Sequence, residues 1–208
     1  MIGVIRFDGY SRLSQAPSEL TAVGAPTRSL WTLLGALYTV LVTAFGCGVW
    51  ASAGRDRKVR IVGGLVVAYG SLGLLWPFAP MHQREVLAAG GGTASDTLHV
   101  ALASATVLLM FIAMGVAATA FGKRFRLYSI ASVVVLVAFG ALTFWDAPRV
   151  QANLPTPWMG LWERINITVF LLWVTVLATV LLRTADQRKL PTAGVVLTET
   201  RPPGAPRR

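Results

Sequence analysis

Five stretches of this chain run for 18 to 25 residues without a charged side chain: Trp31 to Ala53, Ile61 to Pro80, Thr97 to Phe121, Leu127 to Trp145 and Ile165 to Leu182. An α-helix rises 1.5 Å per residue, so about 20 apolar residues cross a hydrocarbon core of about 30 Å. Inside lipid every backbone N–H and C=O must find a partner within the protein, and a helix supplies those partners from its own turns. No alternating apolar/polar pattern of the β-barrel kind is present. The expected fold is all-α, a polytopic transmembrane bundle of five membrane-spanning helices.

Composition agrees. Charged residues make up 13% of the chain, against about 25% in soluble domains. Trp31, Trp50, Trp76, Tyr128, Trp145 and Trp162 fall at or near the ends of the runs, where an amphipathic ring can meet the headgroups. Pro77 and Pro80 are expected to end the second helix. Gly35, Thr39 and Thr43, and Gly64 with Ala68, form small-residue stripes expected to face other helices. The single cysteine, Cys47, excludes an intrachain disulfide and reads as a packing residue.

The net charge of +10 would raise the question of nucleic acid in a soluble chain. Here the basic residues sit between apolar runs and in the tail, so the expected partner is the lipid bilayer and its anionic headgroups, and no nucleic acid. The loops at 54–60 and 122–126, with the tail from Arg183, hold 13 of the 19 Lys and Arg. Arg6, Arg12, Arg28, Arg84, Arg149 and Arg164 make up the other side. The positive-inside rule then puts the C-terminus in the cytoplasm and the N-terminus outside, in the cell membrane. Three regions follow: an extracytoplasmic segment at 1–29, the bundle at 30–183, and a proline-rich cytoplasmic tail at 184–208 that is expected to be disordered. Residues 1–29 lack the features of a secretory signal. Either a helix ahead of Met1 is missing, its last residues surviving as Ile2 to Ile5, or a short tail crosses unaided. The first reading is preferred.

The polar residues of interest gather on the expected outer side. The second loop reads Met81-His82-Gln83-Arg84-Glu85, then three glycines, then Ser95-Asp96-Thr97-Leu98-His99. Ser95 or Asp96 is expected to cap the third helix, and Asp96 and His99 share one of its faces. The glycines lack the Lys-Ser/Thr that would make a phosphate loop. His82, Asp96 and His99 are residue types that zinc accepts. The spacing contains no tight ligand pair, however, so the expectation is no metal and no cofactor, with Asp96 capping and His99 bonded to a neighbouring loop. The last outer loop holds Asp146-Ala-Pro148-Arg149 and ends in Glu163-Arg164, just ahead of the fifth helix. Glu163 there favours the helix dipole, and Arg164 could pair with Glu163, Asp96 or Glu19, or hold an anionic headgroup. The candidate cluster is therefore Glu19, His82, Asp96, His99, Glu163 and Arg164. The helices carry no charge between their ends, which speaks against ion-coupled transport.

Several short motifs stand in a fixed order: Phe7-Asp8-Gly9-Tyr10, Ser18-Glu19-Leu20, Gly24-Ala25-Pro26, Pro80-Met81-His82, Leu98-His99, Arg126-Leu127-Tyr128-Ser129 and Glu163-Arg164. In these the chain, from about residue 5 to 183, resembles the bacterial membrane proteins of the domain of unknown function 998 family. That family is distantly similar to the superfamily of damage-regulated autophagy modulators. The resemblance implies six helices, the first of which this chain lacks. It implies no established activity, and a tilt toward lipid handling. Three functions compete. One is a non-enzymatic membrane protein binding a lipid or partner through the outer cluster. The second is a membrane-embedded metal-dependent lipid hydrolase, and the third is a small-molecule transporter.

Overall fold

The structure, a computed structural model, describes residues 7–189. The expected helix remnant at Ile2 to Ile5 and the tail beyond Lys189 lie outside the described residues. A non-helical segment with one 3-10 turn, Pro17–Thr21, leads into six α-helices: α1 (Arg28–Ser52), α2 (Arg57–Leu72), α3 (Arg84–Ala88), α4 (Ala94–Ala120), α5 (Lys123–Gln151) and α6 (Met159–Lys189). Five of them are long and apolar enough to cross a membrane, α2 counting with its 3-10 extension to Phe78. The chain is a multi-pass integral membrane protein. Large apolar side chains cover the helix flanks, among them Leu33 (68% exposed), Val134 (60%) and Leu182 (67%). A water-soluble surface does not carry such a contiguous apolar belt.

Each long helix packs on its chain neighbour, α1 on α2, α2 on α4, α4 on α5 and α5 on α6, and α6 returns to touch α1 lightly. The core is shared by Val62, Val66 and Tyr69 of α2, Met114 and Ala117 of α4, Leu136 of α5, and Phe170, Trp173 and Leu177 of α6. Two hydrogen bonds lie within it. The Trp173 indole donates to Ser129 Oγ at 3.0 Å, and the Tyr38 and Tyr69 hydroxyls bond at 2.8 Å. Lipid is as apolar as leucine, so what holds such helices together is close packing and internal hydrogen bonding.

The closest packing is between α1 and α2, and it uses only part of the expected stripes. Thr39 and Thr43 lie at the interface, whereas Gly35 meets nothing and Ala68 is exposed. The stripe on α2 is Gly63, Gly70 and Gly73. A Cβ on Gly63 would overlap the backbone of Trp50, and one on Gly70 or Gly73 would overlap Thr43 or Thr39.

Three helix boundaries also differ from the apolar runs. The second helix tightens into 3-10 geometry over Gly73–Phe78 before the proline at 80. Asp146, Pro148 and Arg149 are helical, not loop, because the end of α5 is stapled. Leu154 N–H donates to Arg149 O at 2.7 Å, and Arg149 Nε donates to Pro155 O at 2.9 Å. Finally, α6 starts at Met159, so Glu163 and Arg164 lie within its first turns rather than ahead of it. The five-residue α3 has no counterpart in the expected elements.

Candidate functional site

One end of the bundle carries a cap made of residues 7–27, the loop from Ala79 to Thr93, and the loop between α5 and α6. Its centre is an ion pair. The Arg84 guanidinium faces Glu19 edge-on, Nη2 to Oε1 at 2.7 Å and Nε to Oε2 at 2.8 Å. Only 10% of the Arg84 side chain and 5% of the Glu19 side chain are exposed. Burying two charges is favourable only when their remaining donors and acceptors are also met, and here they are. Glu19 accepts from Ala16 N–H at 2.8 Å and from the Gln15 amide at 3.1 Å. Arg84 donates further to Thr156 Oγ1 at 2.8 Å and Ser14 O at 3.1 Å. The Thr156 hydroxyl in turn donates to Ser14 O at 2.8 Å. One guanidinium thus joins three segments that are far apart in sequence.

A second arginine fixes the same segment to α6. Arg164 Nη1 donates to the carbonyls of Arg12 at 2.6 Å, Gly160 at 2.8 Å and Gln15 at 3.2 Å, and Nη2 donates to the Tyr10 hydroxyl at 2.6 Å. Tyr10 passes its own proton toward Gln15 O and Ala16 O. The helix can approach this closely because residue 160 is glycine. A Cβ there would collide with the carbonyls of Gln15 and Arg12. The partners expected for Arg164 were a carboxylate or an anionic headgroup, and its guanidinium bonds carbonyls and a phenol.

Burial holds the Tyr10 phenol above its ordinary value. The hydrogen bond and charge of Arg164 oppose the shift, and the charges of Glu19 and Glu163 add to it. A raised folded-state pKa gives stability that is full below the unfolded value of about 10 and is lost as pH rises through the folded value. In an absorbance titration, the component that disappears in Tyr10→Phe is expected to ionise above pH 10. A component ionising at or below the free-tyrosine value would contradict this burial.

His82, Asp96 and His99 form a separate staple. Thr93, not Ser95 or Asp96, is the N-cap of α4. Asp96 takes the third helical position and accepts from Thr93 N–H at 2.8 Å, completing a capping box. The same carboxylate accepts from His82 N–H at 2.7 Å and from His82 Nδ1 at 2.9 Å. His99 Nδ1 donates to Ala79 O at 2.8 Å. A carbonyl can only accept, which puts the proton on Nδ1, and the ring meets Trp76 edge-on. His99 thus bonds the loop and makes no hydrogen bond to the His82–Asp96 pair. Among the described residues, no three His, Cys, Asp or Glu side chains gather as metal ligands would.

The six residues singled out from sequence therefore divide. Glu19, Glu163 and Arg164 lie around Tyr10, while His82, Asp96 and His99 pin the loop to α4. Arg84, the residue that completes Glu19, went unrecognised. It was visible only as one of six basic residues on its side, and nothing in the sequence ties position 84 to position 19. Beside the pair opens a cleft of about 240 Å³ whose polar lining is Asp8, Gln15, Glu19, Gln83, Arg84 and Glu85. Three carboxylates face one guanidinium there. Asp8 and Glu85 are exposed and make no hydrogen bond or ion pair among the described residues.

Compared with known proteins, residues 1–180 match the model of a family described as protein of unknown function (DUF998). No curated protein and no solved structure matches the chain.

Proposed function

The chain belongs to this family of proteins of unknown function, and from that premise we propose that it is a non-enzymatic membrane protein whose cap binds a positively charged group. The ligand that fits best is the amine of a lipid headgroup at the same membrane surface. The observation that carries this reading is the acidic cleft, where Asp8 and Glu85 stand unpaired beside a Glu19 already neutralised by Arg84. In this reading the capped end faces outward, because the basic loops gather at the other end. The commitment of three further candidates supports binding over catalysis. Arg164, His82 and His99 are each held by cap or loop groups, and none is poised against a nucleophile.

Calorimetry with two soluble headgroups tests it. Glycerophosphoethanolamine is expected to bind and glycerophosphoglycerol not to. Asp8→Asn with Glu85→Gln is expected to weaken the former by about tenfold, the equivalent of about 1.4 kcal/mol. Equal binding of both headgroups, of neither, or an unchanged affinity in the double variant would refute the reading.

A further inference from the structure

The end of the bundle opposite the cap carries a second opening, of about 380 Å³, where α1 runs out and α2 begins. It is lined by Trp50, Arg55, Arg57, Arg60 and Ile61. Its wall is apolar. The Trp50 ring lies across Gly64, so near that a Cβ there would come within 2.9 Å of it, and half of the ring stays exposed beside the exposed Ile61. Its rim is cationic. Arg60 Nη2 donates to Gly54 O at 2.6 Å, which holds that guanidinium on the turn. Gly54 has a φ of +54°, a left-handed conformation that glycine adopts without strain.

The charges around this opening are not spoken for. Arg55 and Arg57 make no hydrogen bond or ion pair among the described residues. The one carboxylate of the turn, Asp56, accepts from the Lys58 and Val59 amides at 2.8 and 3.2 Å, so it caps α2. Nearby basic side chains have structural duties instead. Lys58 Nζ donates to Thr119 O and Arg126 Nε to Ala118 O, completing the end of α4.

A guanidinium rim over a tryptophan and isoleucine wall suits a phosphate joined to hydrocarbon. The planar forks match phosphate oxygens, and the indole belongs where headgroup meets acyl chain. We infer that the opening between α1 and α2 binds the phosphate of an anionic phospholipid from the leaflet that this end faces. Free phosphate would use the same forks but leave the apolar wall bare.

Native mass spectrometry of the purified full-length chain separates these cases, with phosphatidylglycerol, phosphatidylcholine and inorganic phosphate as probes. Phosphatidylglycerol is expected to be retained in preference to phosphatidylcholine. Each exposed arginine is expected to contribute about fivefold to that preference, so Arg57→Gln reduces it and the triple variant Arg55→Gln, Arg57→Gln, Arg60→Gln abolishes it. Lys123→Gln with Arg124→Gln, at the same end but away from the opening, should leave it intact. Trp50→Ala should weaken phosphatidylglycerol and not inorganic phosphate. The inference is overturned if Arg57→Gln keeps the full preference, or if the Lys123 and Arg124 pair lowers it equally, which would mean a diffuse charge effect. It is also overturned if inorganic phosphate displaces the lipid at comparable concentration.

Discussion

Replacing Arg84 by alanine is expected to remove about 3–5 kcal/mol of stability, the range for breaking a buried ion pair on one side, and Glu19→Ala should cost a similar amount. The reason is asymmetry. With Arg84 gone, the Glu19 carboxylate stays buried against Ala16 and Gln15 with no cation, Thr156 Oγ1 loses its donor, and Ser14 O keeps only the Thr156 hydroxyl. Replacing both partners, Glu19→Gln with Arg84→Met, is expected to cost far less than the two alanine variants added together, since no lone charge remains. Thermal unfolding in detergent gives the totals, and limited proteolysis of residues 7–27 locates the loss in the cap. Additive penalties, or single variants that melt like the wild type, would show that the pair does not hold the cap.

The second large effect lies at the α1–α2 interface. Gly63→Val is expected to cost about 3 kcal/mol, the upper part of the range for overpacking. A Cβ at this position meets the Trp50 backbone, which cannot swing aside as a side chain can. Gly64→Ala meets only the Trp50 ring and should be milder. Gly115→Ala, in open space on α4, should be neutral or slightly stabilising through helix propensity. Melting temperatures of the three variants should fall in that order. A Gly63→Val protein as stable as Gly115→Ala would mean that α1 and α2 are not in backbone contact here.

How much of this was legible in the sequence follows from range. The five spans were readable because each is a local property, a run of apolar residues long enough to cross a bilayer. The staple around Asp96 was half readable. Its capping role is set within four residues, but the choice of Thr93 as N-cap and the reach back to His82 depend on where the loop returns. The α1–α2 seam was partly readable for the same reason: Thr39, Thr43 and Gly64 face the neighbouring helix as expected, and Gly35 and Ala68 do not. Gly35 and Gly63 are equally small, and only the helix rotation set by packing decides which of them meets a neighbour. Arg84 and Arg164 lie beyond local inference. Apart from Gly160, their partners lie 65 to 154 residues away, and four of the seven partner groups are backbone carbonyls, which leave no mark on composition.

Those separations also fix an order of assembly. Tyr10, Arg12 and Gln15 are among the first residues of the described chain to emerge during synthesis, yet the side chain that holds them is Arg164. The Glu19–Arg84 pair can form once α3 has been made, but no growing chain shorter than 164 residues can dock the first segment on α6. Pairing across such separations is slow, because the closure entropy is lost before the contact rewards it. Cap closure is thus a late event that reports completion. A chain stalled or truncated before α6 would keep the Glu19–Arg84 pair but leave the Tyr10 hydroxyl and the carbonyls of Arg12 and Gln15 without their arginine, so the first segment would not be docked on the bundle.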